Sequence, residues 1–129
     1  MKYLCLVHVD GAAMAALSPE EETKLVNDSI EYDWWVRSGG HLILAQPLQS
    51  PETAVTLRVR DGRMSSTDGP YSETKEFLGG FFLIEARDLN EAVRLAERSP
   101  MARMGSIEIR PTLEQTHSET GEGRPELAS

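Results

Sequence analysis

Residues 65–86 are SSTDGPYSETKEFLGGFFLIEA, and the pattern of the second half fixes where this segment lies in a sheet. From Phe77 to Ala86 the apolar residues run almost unbroken instead of alternating, so both faces of this segment are buried. That pattern predicts a strand in the middle of a sheet. Ahead of it, Asp68-Gly69-Pro70 is a turn signal: an acceptor side chain, a residue free to take positive φ and a residue whose φ is fixed. Gly79-Gly80, at the strand start, marks a bulge or a close approach of backbone.

Working outward, Lys2 to Val9 reads as a first strand, ended by Asp10-Gly11. Ser18-Pro-Glu-Glu starts a helix with a capping serine, a proline at the first helical position and a carboxylate three residues after the cap. The helix runs to about Arg37 and stops at Gly39-Gly40. His41 to Leu48 is a second strand and Ala54 to Arg60 a third, in which Val55, Leu57 and Val59 alternate with Thr56, Arg58 and Arg60. The alternation predicts one face turned to the helices and one polar face. Asp61-Gly62 signals a hairpin that extends this meander through Arg63 to Ser66. Asp88-Leu-Asn-Glu91 caps a second helix with Leu89, Ala92, Val93 and Ala96 on one face, Ser99-Pro100 ends it, and Ser106 to Arg110 is the last strand. The order is that of a ferredoxin-like α+β sandwich, an antiparallel sheet with two helices on one face, over residues 1–111. A second copy is the simplest cover for the other face, which makes a homodimer the expected assembly. Residues 112–129 are too polar to repay their ordering entropy and are expected to be a disordered tail.

With Asp and Glu outnumbering Lys and Arg by 21 to 13, the chain carries a formal charge of -8. Attraction to nucleic acid or to an anionic membrane is not expected. No apolar run approaches the roughly 18 residues that span a bilayer, and the single cysteine, Cys5, sits in a strand as a small core residue. A cytoplasmic setting is the expectation. No phosphate loop, dinucleotide fingerprint or metal-ligand spacing appears, so neither cofactor nor metal is expected.

DGPYSETKEFLGGF (68–81) resembles the motif of the DGPF group of the YCII-related family, with Tyr71 where phenylalanine is usual. The resemblance extends to GGHLILAQPL (39–48) and SIEIRP (106–111) and covers about residues 1–112. It implies a ferredoxin-like fold that pairs into a dimeric α+β barrel, and a genomic setting often beside sigma factors of the extracytoplasmic-function type. The wider family carries a suspected His–Asp pair. Those positions fall at about Ser29 and Ser38 here, so that pair does not carry over.

Chemistry must come from other groups. On the first helix Ser29, Asp33 and Arg37 fall at i, i+4 and i+8 inside an apolar arc, where they either line a pocket or form a structural pair. Glu73, Lys75 and Glu76, beside Asp68 and Tyr71, either anchor a ligand or form a solvated network. His41, opening a strand beside Gly39-Gly40, is a candidate general base. His41, Asp33 and Lys75 are thus the catalytic candidates, and Ser29, Arg37, Asp68, Tyr71, Glu73 and Glu76 the ligand-binding ones. The expected activity is binding of a small organic molecule, with isomerisation or elimination by acid–base groups. The rival is a non-enzymatic regulatory or interaction protein of a sigma-factor system.

Overall fold

A computed structural model of the chain describes residues 1–71 and 74–126. Strand β1 (Lys2–Asp10) leads through a short helix α1 (Gly11–Ala15) into the long helix α2 (Pro19–Ser38). Then come β2 (Leu42–Pro47), the hairpin of β3 (Val55–Arg60) and β4 (Arg63–Asp68), β5 (Glu76–Glu85), α3 (Leu89–Ala96) and β6 (Gly105–Pro111). Four strands form one antiparallel sheet in the order β2-β5-β1-β6, so the segment quoted above is central, as its unbroken apolar run requires. The fold is a ferredoxin-like α+β sandwich.

Local chemistry explains where α2 begins and ends. The Ser18 hydroxyl accepts from the Glu21 amide at 3.1 Å while the Glu21 carboxylate accepts from the Ser18 amide at 2.9 Å, and Pro19 stands where no amide donor is needed. Glu20, Glu21 and Glu22 crowd the first turn, where the helix dipole favours negative charge. Past Ser38 the chain leaves the helix at Gly40, with φ +80.

The core is a single layer between the sheet and the helices. Tyr3, Cys5, Val7 and Val9 alternate inward from β1, Phe82 and Ile84 join them from β5, and Tyr32, Val36, Ala92, Leu95 and Ala96 close from the helices. Each large side chain buried there is worth about 1.5–3 kcal/mol. The Tyr32 hydroxyl donates to the Leu95 carbonyl at 2.6 Å and its ring meets Phe82 edge-on at 5.8 Å, tying α2, α3 and β5 at one point. Burial also pushes the Cys5 thiol up to about 12, leaving it a packing residue.

Three expectations need correction. Val55, Leu57 and Val59 do not face the helices: they are 63%, 61% and 56% exposed, because among the described residues β3 and β4 pair with each other alone, as a two-stranded ribbon outside the main sheet. β5 already has β1 and β2 on its two sides, and β2 ends at Pro47 before a 3-10 turn starting at Pro51, so the chain is led away from the sheet. The Asp61-Gly62 turn itself forms, with φ 52 and 72. On α3 the inward residues are Ala92, Leu95 and Ala96, whereas Leu89 and Val93 are exposed. And Asp10-Gly11 is more than a turn, since the Asp10 carboxylate caps α1 by accepting from Ala12 and Ala13.

The glycine pair has the role its position implied. β1 and β5 shift register between Val7 and His8, with Val7 opposite Gly80 and His8 opposite Leu78, which leaves Gly79 as the extra residue. A Cβ on Gly79 would stand 2.5 Å from Val9 Cγ2. The sheet's second face carries half-buried or exposed Leu4, Leu6, Leu44, Leu78, Phe81 and Leu83. Beyond β6, Thr112 donates to the Lys2 carbonyl, Thr116 bridges Gly123, and Lys2 pairs with Glu126. Among the described residues no helix is long and apolar enough to cross a membrane.

Candidate functional site

Two cavities flank the end of the sheet where β2 stops and β5 begins. The first, about 600 Å3, lies between α2 and the helix-facing side of β2 and β5. Its origin is the step from large to small side chains. Tyr32 and Val36 hold the C-terminal half of α2 against the sheet, while the N-terminal half faces Ala45, Gly79 and Gly80, which fill little space. Leu25, Val26 and Ile30 line the helix side, and Val7, Val9 and Phe82 the strand side.

Polar groups in this apolar space are few. The Ser29 hydroxyl is buried with no hydrogen-bond partner among the described residues. A buried hydroxyl without a partner costs about 1–3 kcal/mol, so its retention calls for a ligand or water to meet it. One turn on, Asp33 lines the same cavity, and burial raises its carboxyl above the ordinary value of 3.8. No ion pair among the described residues involves Asp33. Glu22 is the other charged residue in the lining.

The second cavity, about 900 Å3, opens on the opposite side of the sheet, lined by His8, Tyr71, Thr74, Lys75, Glu76 and Ser106 among others. His8 Nε2 pairs with Glu108 Oε1 at 3.0 Å, the Ser106 hydroxyl donates to Glu76 at 2.7 Å, and the Arg58 guanidinium lies 5.8 Å from the centre of the Tyr71 ring. Leu48, Ser50 and Phe77 border both cavities and separate them.

The candidates read from the sequence are therefore divided. Ser29 and Asp33 share the first cavity; Arg37 is exposed, lines neither, and makes no ion pair with Asp33. Tyr71, Lys75 and Glu76 share the second cavity, Asp68 lies on exposed β4 outside both, and Glu73 falls outside the described residues. His41 borders neither cavity: its Nδ1 donates to the Glu85 carbonyl at 2.8 Å, at the far end of β2. The three catalytic candidates do not converge, because α2 and the motif loop lie on opposite faces of the sheet and His41 at the opposite end of its edge strand. Glu22 and the glycine floor escaped the sequence reading. The small residues Ala45, Gly79 and Gly80 opposite a wide apolar helical arc were the signal that a gap would open there.

A family model described as the YCII-related domain matches residues 1–116. An uncharacterised protein of Rhizobium meliloti (strain 1021) is 34% identical over 113 residues, covering 86% of this chain and 91% of that protein. Among solved structures, 5-chloro-2-hydroxyhydroquinone dehydrochlorinase (TftG) from Burkholderia phenoliruptrix AC1100, in complex with 2,5-dihydroxybenzoquinone, is similar with a TM-score of 0.51 and 13% identity. The match covers 89% of this chain and 96% of that one, and at such identity it is a likeness of fold.

Proposed function

The chain belongs to the YCII-related family, and from that premise we propose that it binds a small organic molecule in the cavity between α2 and the sheet, where Asp33 serves cofactor-free proton transfer. The observation that carries this reading is the unpartnered Ser29 hydroxyl beside Asp33 in an apolar space of about 600 Å3. A carboxyl whose pKa burial raises is a stronger base than an exposed one, which suits it to take a proton from a substrate, and the apolar walls strengthen each polar contact inside. Isomerisation and elimination need no more than such a group and a hydroxyl to orient the substrate. Lys75, Tyr71 and Glu76, on the other side of the sheet, are a second binding surface, not part of this centre.

The working unit is a homodimer in the cytoplasm. Support for the dimer comes from the sheet's second face, where apolar residues of β1, β2 and β5 are rimmed by His8, Gln46, Glu108 and Arg110. Thermal-shift screening of small aromatic and aliphatic compounds tests the binding reading. Ligands that stabilise the wild type and lose most of their effect with Ser29→Ala support it. If no compound shifts the melting temperature, the rival of a regulatory or interaction protein takes its place.

A further inference from the structure

The charges around the first cavity point to the kind of molecule it admits. The charged residues lining it are Glu22 and Asp33; no lysine, arginine or histidine among the described residues does so. Among the charged groups of the described residues, an anion entering this space would meet carboxylates alone, with no cation to compensate for its lost hydration. A cation would instead recover in one contact the solvation that Asp33 has lost. The walls along Val26, Ile30 and Leu48 are apolar, so the rest of the ligand is hydrocarbon. The Ser29 hydroxyl, free to accept, stands one turn from Asp33 on the same face of α2 and supplies a second hydrogen-bond partner for an N–H group. We propose that the cavity between α2 and the sheet selects a hydrophobic amine, with the ammonium held by Asp33 and Ser29 and the apolar body lying along α2.

This rests on the binding reading above and deepens it by naming the ligand class. It also matches the whole molecule, whose formal charge of -8 draws cations and repels anions at long range. Pairing with the ammonium opposes the effect of burial on Asp33 and favours its ionised form.

Three probes of nearly equal size and different charge test the selection: phenethylamine, phenethyl alcohol and phenylacetate, titrated calorimetrically into the full chain at pH 7. The expected order is amine, alcohol, acid, with the amine bound about tenfold or more tighter than the acid, the ratio that a single desolvated charge contact of ~1.4 kcal/mol provides. Asp33→Asn should lower amine affinity to that of the alcohol while leaving the alcohol unchanged. Glu22→Gln, an exposed substitution that does not threaten folding, should reduce the amine's advantage by a smaller factor than Asp33→Asn does, because Glu22 lies exposed where its charge is screened by solvent. For the wild type, amine affinity should fall as pH drops through the raised Asp33 pKa. Phenylacetate binding as tightly as phenethylamine, or an amine preference that survives Asp33→Asn in a folded variant, overturns the inference while leaving the cavity a binding site. Failure of all three probes overturns both readings.

Discussion

Ser29 and Asp33 occupy adjacent turns of α2, yet the two are out of balance with their surroundings in different ways. The Ser29 hydroxyl has no partner among the described residues, so Ser29→Ala should raise stability by about 1 kcal/mol in the absence of ligand, combining relief of that cost with better helix propensity. A urea melt reads this directly, and a clear loss of stability would show that the hydroxyl has a partner in solution. Asp33 acts through pH. Burial holds its folded-state pKa above the ordinary 3.8, so the folded protein binds more protons than the unfolded chain between 3.8 and the raised value. Stability contributed by this group therefore falls as pH rises through that window and stays lower above it. Asp33→Asn should be the more stable protein at pH 7, and its advantage over wild type should vanish below 3.8, as denaturant melts across pH would reveal. Ser29 and Asp33 could be placed together from the sequence because helical spacing is a local rule. Arg37 obeys the same spacing but stands on the exposed last turn, where its guanidinium stays in water. Lys75 depended on which face of the sheet the motif loop would take, and no local rule determines that.

At the scale of elements, the β3–β4 ribbon separates what alternation implies from what it does not. Val55, Leu57 and Val59 alternate with polar residues as a half-buried strand should, and the hairpin turn was legible in Asp61-Gly62. Burial required a neighbour, and the chain past Pro47 leads the ribbon away from one. Leu57→Ser should then change the stability of the monomer by less than about 0.5 kcal/mol, against roughly 2–5 kcal/mol for Ile84→Ala in the core. If equilibrium unfolding shows Leu57→Ser costing as much as a core substitution, the ribbon packs against something in solution. Helix α2 carries a related excess. Val26, Ile30 and Trp34 remain exposed because the arc of apolar residues is wider than one sheet contact can cover, and its surplus became the cavity wall and part of the surface.

For the whole molecule, fold class followed from element order and from the central position of β5, both set by patterns long enough to survive tertiary context. The proposed assembly would use the sheet's second face. A homodimer built on it should scatter light as twice the chain mass of 14.3 kDa, and Leu6→Glu, placing a charge at the middle of that face, should shift the mass toward the monomer while leaving the helical signal intact. A monomeric wild type at micromolar concentration would remove the dimer.

The ribbon's detachment also sets a clock. β1 and β5 are enclosed by hydrogen-bonded neighbours on both sides, so their amides exchange with solvent only when the entire sheet comes apart. Among the described residues the amides of β3 and β4 are held by one partner strand and no core, and opening of the ribbon leaves the sheet intact. Deuterium should therefore enter the chain in two waves, first residues 55–68 and much later the sheet, and the interval between them measures how far the stability of the ribbon is independent of the fold that carries it.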